Sequence, residues 1–86
     1  MEQNPTQSIH AKIVELAKTL GHDALNLKMD EEIPSTGFLD SAATMDLILW
    51  LESEYDFIIP QEDITLENLG TVNSIAAYVR RAAGSA

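Results

Sequence analysis

The sequence contains no cysteine. That excludes a disulfide framework, a thiolate metal site and a cysteine nucleophile. It has no apolar run near the roughly 20 residues of a membrane span. Its beginning has no basic region followed by an apolar core, so no secretory leader is expected and the default is a soluble cytoplasmic protein. Gly-rich phosphate loops, internal repeats, heptads and Cys/His clusters are missing, and the acids do not follow calcium-loop spacing. A Gly-x-Ser-x-Gly elbow is also missing, and no histidine is placed to act as base for a serine. Most telling, there is no Lys or Arg from residue 29 to residue 79.

That stretch holds 11 of the 14 acids, and the net charge is −9. Phosphate backbones would be repelled, so nucleic acid is not an expected partner. Taken alone, the charge is explained by solubility. Its functional reading is a surface steered toward basic partners. At 86 residues, with 45% hydrophobic side chains, the chain is expected to form a single domain over 1–86 with its core at about 8–81 and flexible ends. So short a chain buries a modest core and is not expected to enclose a deep active site.

Residues 1–7 read as a frayed start and 82–86 as a small-residue tail. Ile9, Ile13, Leu16 and Leu20 recur on one helical face, and Gly21 suits the left-handed residue after a helix, so a helix is expected at about 7–20. His10 and His22 are isolated and read as solvated loop residues rather than ligands. Residues 21–40 form a long connection, with a short helical turn expected near 23–27. Leu25, Leu27, Met29, Ile33, Phe38 and Leu39 should anchor it across the core, while Pro34 to Gly37 break any helix.

A second long helix is expected from Ser41 to Tyr55. On a helical wheel Thr44, Leu47, Ile48, Leu51 and Tyr55 make a core stripe, with Trp50 at its rim. The opposite arc mixes apolar and acidic residues: Ala42, Met45, Asp46, Leu49, Glu52, Ser53 and Asp56. Solvent alone does not call for Met45 and Leu49 there. Phe57-Ile58-Ile59-Pro60 ends that helix. Residues 62–69 read as a short helix or turn with Ile64, Leu66 and Leu69 facing in, closed by Gly70. Thr71 caps a last helix whose Val72, Ile75, Ala76 and Val79 share one face. Arg80 and Arg81 complement the dipole at its end. The expected fold is all-α: a small four-helix bundle of three longer helices and one short one, with a long first loop, the last helix packing beside the first two long ones.

Ser41 sits where the loop becomes a helix. Alone, a serine there is a cap, because its oxygen can accept an amide of the first turn. The run Gly37-Phe38-Leu39-Asp40-Ser41, however, resembles the phosphopantetheine attachment motif of acyl carrier proteins, whose core is usually Asp-Ser-Leu. Tyr55-Asp56, Ile59-Pro60 and Thr71-Val72 continue the resemblance at the family's spacing over about residues 8–81. The run, with Thr44 and Leu47-Ile48-Leu49, is similar also to D-alanyl carrier proteins and other aminoacyl or peptidyl carriers. One departure is Ala42, where the family commonly has Leu or Met, which implies an unusual partner set.

The resemblance implies a non-catalytic, monomeric carrier with an acyl-carrier-like fold. A phosphopantetheinyl transferase would attach 4'-phosphopantetheine from coenzyme A to Ser41, with Asp40 helping to position the transferase's metal ion. The arm would hold cargo as a thioester for loading ligases and downstream transferases with basic docking surfaces. Ala42, Met45, Asp46, Leu49, Glu52 and Asp56 would meet those partners. The cargo stays open between a fatty acyl or polyketide intermediate, as in fatty acid or secondary metabolite biosynthesis, and an amino acid supplied by a separate adenylating ligase. Two other classes compete: an unmodified acidic helical adaptor, and a hydrolase, which lacks a base near Ser41.

Overall fold

The structure, a computed structural model, describes residues 5–83. Of the expected frayed start at 1–7 and tail at 82–86, residues 1–4 and 84–86 lie outside the described residues, whereas 5–7 already belong to the first helix and 82–83 to the last. Among the described residues five helices follow one another: α1 (Pro5–Thr19), α2 (Ile33–Thr36), α3 (Ser41–Tyr55), α4 (Leu66–Leu69) and α5 (Val72–Ala83), with a 3-10 turn at Gln61–Asp63 before α4. Among the described residues there is no β-strand. The all-α bundle and its three longer helices are as expected. Two short helical pieces precede α5 after α3 where one was expected, and α2 is additional.

Helix α1 turns Ile9, Ile13 and Ala17 fully inward. The expected stripe drifts from this: Leu16 is only half-buried and Leu20 is exposed. At about 100° per residue Ile13 and Ala17 lie about 40° and 80° round from Ile9, so the buried face is centred near Ile13, Leu16 falls at its edge about 20° beyond Ile9, and Leu20 lies past the end of α1. α1 packs on α5 and α3, and α5 packs on α3 and α4. On α5, Val72, Ile75, Ala76 and Val79 are all buried, as their spacing predicts, together with Tyr78. Thr71 caps α5: its Oγ1 accepts the Ser74 amide at 2.9 Å.

The connection over 20–40 lies across the core through Ala24, Leu27 and Ile33, all buried. Leu25, expected as an anchor, is 67% exposed, because Ala24 takes the inward place in a turn held by the Leu25 amide on Asp23 Oδ1. Pro34 does not prevent a helix here but lies in the first turn of α2, where its missing N–H has no helical partner to lose. Gly37, at φ 72°, ends α2 in the left-handed conformation. Backbone bonds from Ile33 N to Gly70 O (2.7 Å) and from Asn73 N to Met29 O (2.9 Å) tie this connection to the start of α5. His10 lies on α1, not in a loop, and its Nε2 is 3.0 Å from the Leu27 carbonyl. His22 is exposed, its ring 6.2 Å from that of Phe38.

In α3, Leu47, Ile48 and Leu51 are buried as expected, with Ala43 completing the stripe. Tyr55 is half-buried, and Trp50 sits at the rim, 5.9 Å from the Tyr55 ring in an edge-on arrangement. Thr44 is exposed rather than in the core. Ile64 and Leu66, expected to face in, are 40% and 55% exposed. The segment that bears them is too short to show a period, and only Leu69 packs against the core.

Candidate functional site

The loop before α3 is built to stop at Ser41. Phe38 and Leu39 are half-buried against the core and fix the approach of the chain. Asp40 is extended (φ −90°, ψ −174°) and caps α3, its Oδ1 accepting the Ala43 amide at 2.8 Å. The Asp40 carbonyl accepts both the Thr44 amide at 2.9 Å and the Thr44 hydroxyl at 2.8 Å. Capping therefore falls to Asp40, not to Ser41, which is the first residue inside the helix. Both residue types make good caps, and the residue that is still extended holds the position.

Ser41 is exposed, and among the described residues its hydroxyl makes no hydrogen bond. The amides of Ser41 and Ala42, at the first two helical positions, have no acceptor within the helix. A phosphate joined to this oxygen would lie at the positive end of a 15-residue helix. Asp40 keeps a second carboxylate oxygen beyond the one that holds Ala43.

Beside Ser41 opens a groove of about 380 Å³. Asp40, Ser41, Thr44 and Met45 form one wall, and Pro34, Ile64 and Leu69 the other. Its lining is mainly apolar, so it can lie along a chain such as pantetheine without claiming the hydroxyl. An exposed, unbonded serine, free helix amides and an apolar groove fit a covalently attached phosphate-linked arm.

The remaining predicted residues divide. Ala42, Met45, Asp46 and Leu49 are exposed together on the outer side of α3, with Met45 at 50% and Leu49 at 55%. Glu52 does not join them as a free acid. It is half-buried, and its Oε2 accepts the Ile59 amide at 2.8 Å. Asp56 is exposed but serves as the C-cap of α3 in the left-handed conformation, φ 58°. Pro34, Ile64 and Leu69 are groove residues that sequence reasoning missed. They come from segments distant in the chain, and no local pattern announces them. Among the described residues, no group of three or more His, Cys, Asp or Glu is arranged to hold a metal ion.

Residues 13–79 match the phosphopantetheine attachment site family. The chain is also similar to curated relatives. It is 32% identical over 73 residues to a D-alanyl carrier protein of Leuconostoc mesenteroides, covering 85% of this chain and 94% of the relative. With that of Streptococcus sanguinis the identity is 31% over 71 residues, covering 83% and 90%. With that of Leuconostoc citreum it is 27% over 77 residues, covering 90% and 99%. The family match and the relatives make this a carrier protein, and the chain belongs to the phosphopantetheine-binding family of acyl and aminoacyl carriers. Membership implies a covalently attached 4'-phosphopantetheine group.

Proposed function

We propose that Ser41 is the attachment residue and that the arm carries an amino acid, of the D-alanyl kind, loaded by a separate adenylating ligase. The observation that supports the anchor is the division of labour at the start of α3. Asp40 caps the helix, which leaves the Ser41 oxygen with nothing else to do. The amino acid cargo is supported by the D-alanyl carrier relatives.

In attachment, Ser41 Oγ forms the bond to the β-phosphorus of coenzyme A. The phosphoanhydride bond breaks, the adenosine bisphosphate leaves, and the serine proton passes to a base on the transferase. The chain orients this oxygen at the helix start, and its unpartnered amides favour the phosphodiester charge. Asp40 stands beside the reacting oxygen with one carboxylate oxygen uncommitted to the cap. Once attached, the group supplies a terminal thiol, which this cysteine-free chain lacks.

Met45 and Leu49, with Ala42 and Asp46, offer partners a small apolar face beside an acid. A carrier must reach several enzymes fast and leave them fast. Long-range attraction raises the on-rate, and a small interface keeps release quick. The partners are a phosphopantetheinyl transferase, the ligase and downstream transferases with Lys/Arg-bearing surfaces, met by a monomer in the cytoplasm where coenzyme A and ATP are supplied.

Intact mass after incubation with coenzyme A and a phosphopantetheinyl transferase tests the anchor. One arm should be added to the wild type and none to Ser41→Ala, whose fold and melting should match the wild type because no bond is lost. An arm on Ser41→Ala, or none on the wild type, overturns the reading, the latter in favour of an unmodified adaptor. Incubation of the loaded protein with lysate and ATP then tests cargo: an amino acid on the thiol is expected, and a fatty acyl group would refute that part. Asp46→Lys should slow arm transfer at low salt, with the difference shrinking as salt rises.

A further inference from the structure

Glu52 looks from the sequence like one more docking acid, and the structure gives it other work. Its backbone carbonyl accepts the amides of Asp56 and Phe57, the latter at 3.2 Å. Its carboxylate reaches seven residues along the chain to the Ile59 amide at 2.8 Å. One residue thus gathers the whole reversal that follows α3. Ile59 is 5% exposed and belongs to the core, so its amide has little access to water if that bond is lost. Such an amide is costly to leave unpaired.

What the reversal leads into is the far wall of the groove. Pro60 begins the 3-10 turn, and the Pro60 carbonyl accepts the Asp63 amide at 2.9 Å. Asp63 is pinned from the other side by the Tyr78 hydroxyl at 2.7 Å. Ile64 and Leu69, which follow, line the same groove as Ser41 and Met45. Among the described residues, the Glu52 carboxylate makes the side-chain hydrogen bond from α3 to the 57–60 connector.

We infer that Glu52 is a positioning residue: its carboxylate clamps the 57–60 connector and thereby sets where the 64–69 wall stands relative to Ser41. Its charge matters less than its reach. The clamp belongs to the chain without its arm. Its effect on arm transfer rests on the proposal that Ser41 is the anchor.

Two conservative variants separate reach from charge. Glu52→Gln keeps the length and an accepting oxygen but removes the charge. Glu52→Asp keeps the charge but stops one methylene short. Amide exchange at Ile59 and the methyl shifts of Ile64 and Leu69 are read by NMR on the full chain before any arm is added. Arm transfer from coenzyme A by a phosphopantetheinyl transferase is then followed against salt. Glu52→Gln should leave Ile59 exchange within about threefold of wild type, and Glu52→Asp should speed it about tenfold or more, as for loss of one buried hydrogen bond. The Ile64 and Leu69 methyls should move in Glu52→Asp only, and transfer should slow in that variant with its salt dependence unchanged. The reverse ranking, with Glu52→Asp like wild type and Glu52→Gln slow with a flattened salt dependence, would make Glu52 a docking charge and overturn the clamp. Unchanged Ile59 exchange in Glu52→Asp would overturn it as well. If the wild type accepts no arm at all, the anchor proposal falls, while exchange and methyl shifts still decide the clamp.

Discussion

The Asp40 carboxylate accepts the Ala43 amide at 2.8 Å, one residue before the exposed Ser41. Two adjacent residues that could each cap a helix have been given different tasks. The cap lies outside the helix and the bare hydroxyl lies just inside it. Modification of Ser41 therefore need not disturb the bond that starts α3.

That separation makes Asp40 testable in two ways. Asp40→Ala should lower stability by about 1 kcal/mol, the usual cost of losing a cap. In a domain of this size that is a fall of about 4–8 °C in melting temperature. Asp40→Asn, an equally good cap, should melt like the wild type. Arm transfer to Asp40→Asn should nevertheless slow at least tenfold if the carboxylate assists the reaction. Normal transfer to a normally folded Asp40→Asn would confine Asp40 to capping.

Tyr78 gives a pH dependence with a definite sign. Burial, reinforced by its bond to the Asp63 carboxylate, pushes the hydroxyl up to about 12. The raised value means the protonated form is favoured in the folded chain. The stability it contributes is full below pH about 10, the ordinary tyrosine value, and is lost as pH rises toward about 12. Tyr78→Phe should cost about 1–3 kcal/mol near neutrality, measured by urea unfolding, because Asp63 loses a donor. Its stability should also fall less steeply than that of wild type between those pH values.

Gly70 is required for space rather than for conformation. Its φ is −82°, open to any residue, but an added Cβ would run into the Leu66 backbone carbonyl and side chain. Gly70→Ala should destabilise by about 1–3 kcal/mol, as overpacking does. It should also shift the amide signal of Ile33, which donates to the Gly70 carbonyl. Wild-type melting of Gly70→Ala would contradict this packing.

Asp56 presents the opposite case. At φ 58° it is the one non-glycine residue with positive φ among the described residues. Glycine adopts that conformation without a Cβ penalty, but it also loses more entropy on folding. Asp56→Gly should therefore raise stability by about 0.5 kcal/mol, and Asp56→Val should lower it by at least about 1 kcal/mol. Arm transfer to Asp56→Gly then reports on the charge of Asp56 at a preserved helix end.

The long helices were legible from local pattern alone. Leu47, Ile48 and Leu51, and Val72, Ile75, Ala76 and Val79, repeat at helical spacing, and apolar side chains that share a face are buried together. The motif around Ser41 was legible too, because it is a contiguous run. Other features depended on which distant segment arrives beside a residue. Asp40 took the cap from Ser41 because the incoming loop leaves Asp40 extended. Glu52 is committed to a hydrogen bond because Ile59 returns to it across the reversal. Ile64 became a groove wall because Tyr78 and Glu52 fix its segment from two sides. The sequence by itself determined the faces of the helices, since periodicity is a property of one segment. Only the tertiary structure decided which polar groups pair and what lines the groove by Ser41, because a hydrogen bond between separate segments exists only once both have been packed into place.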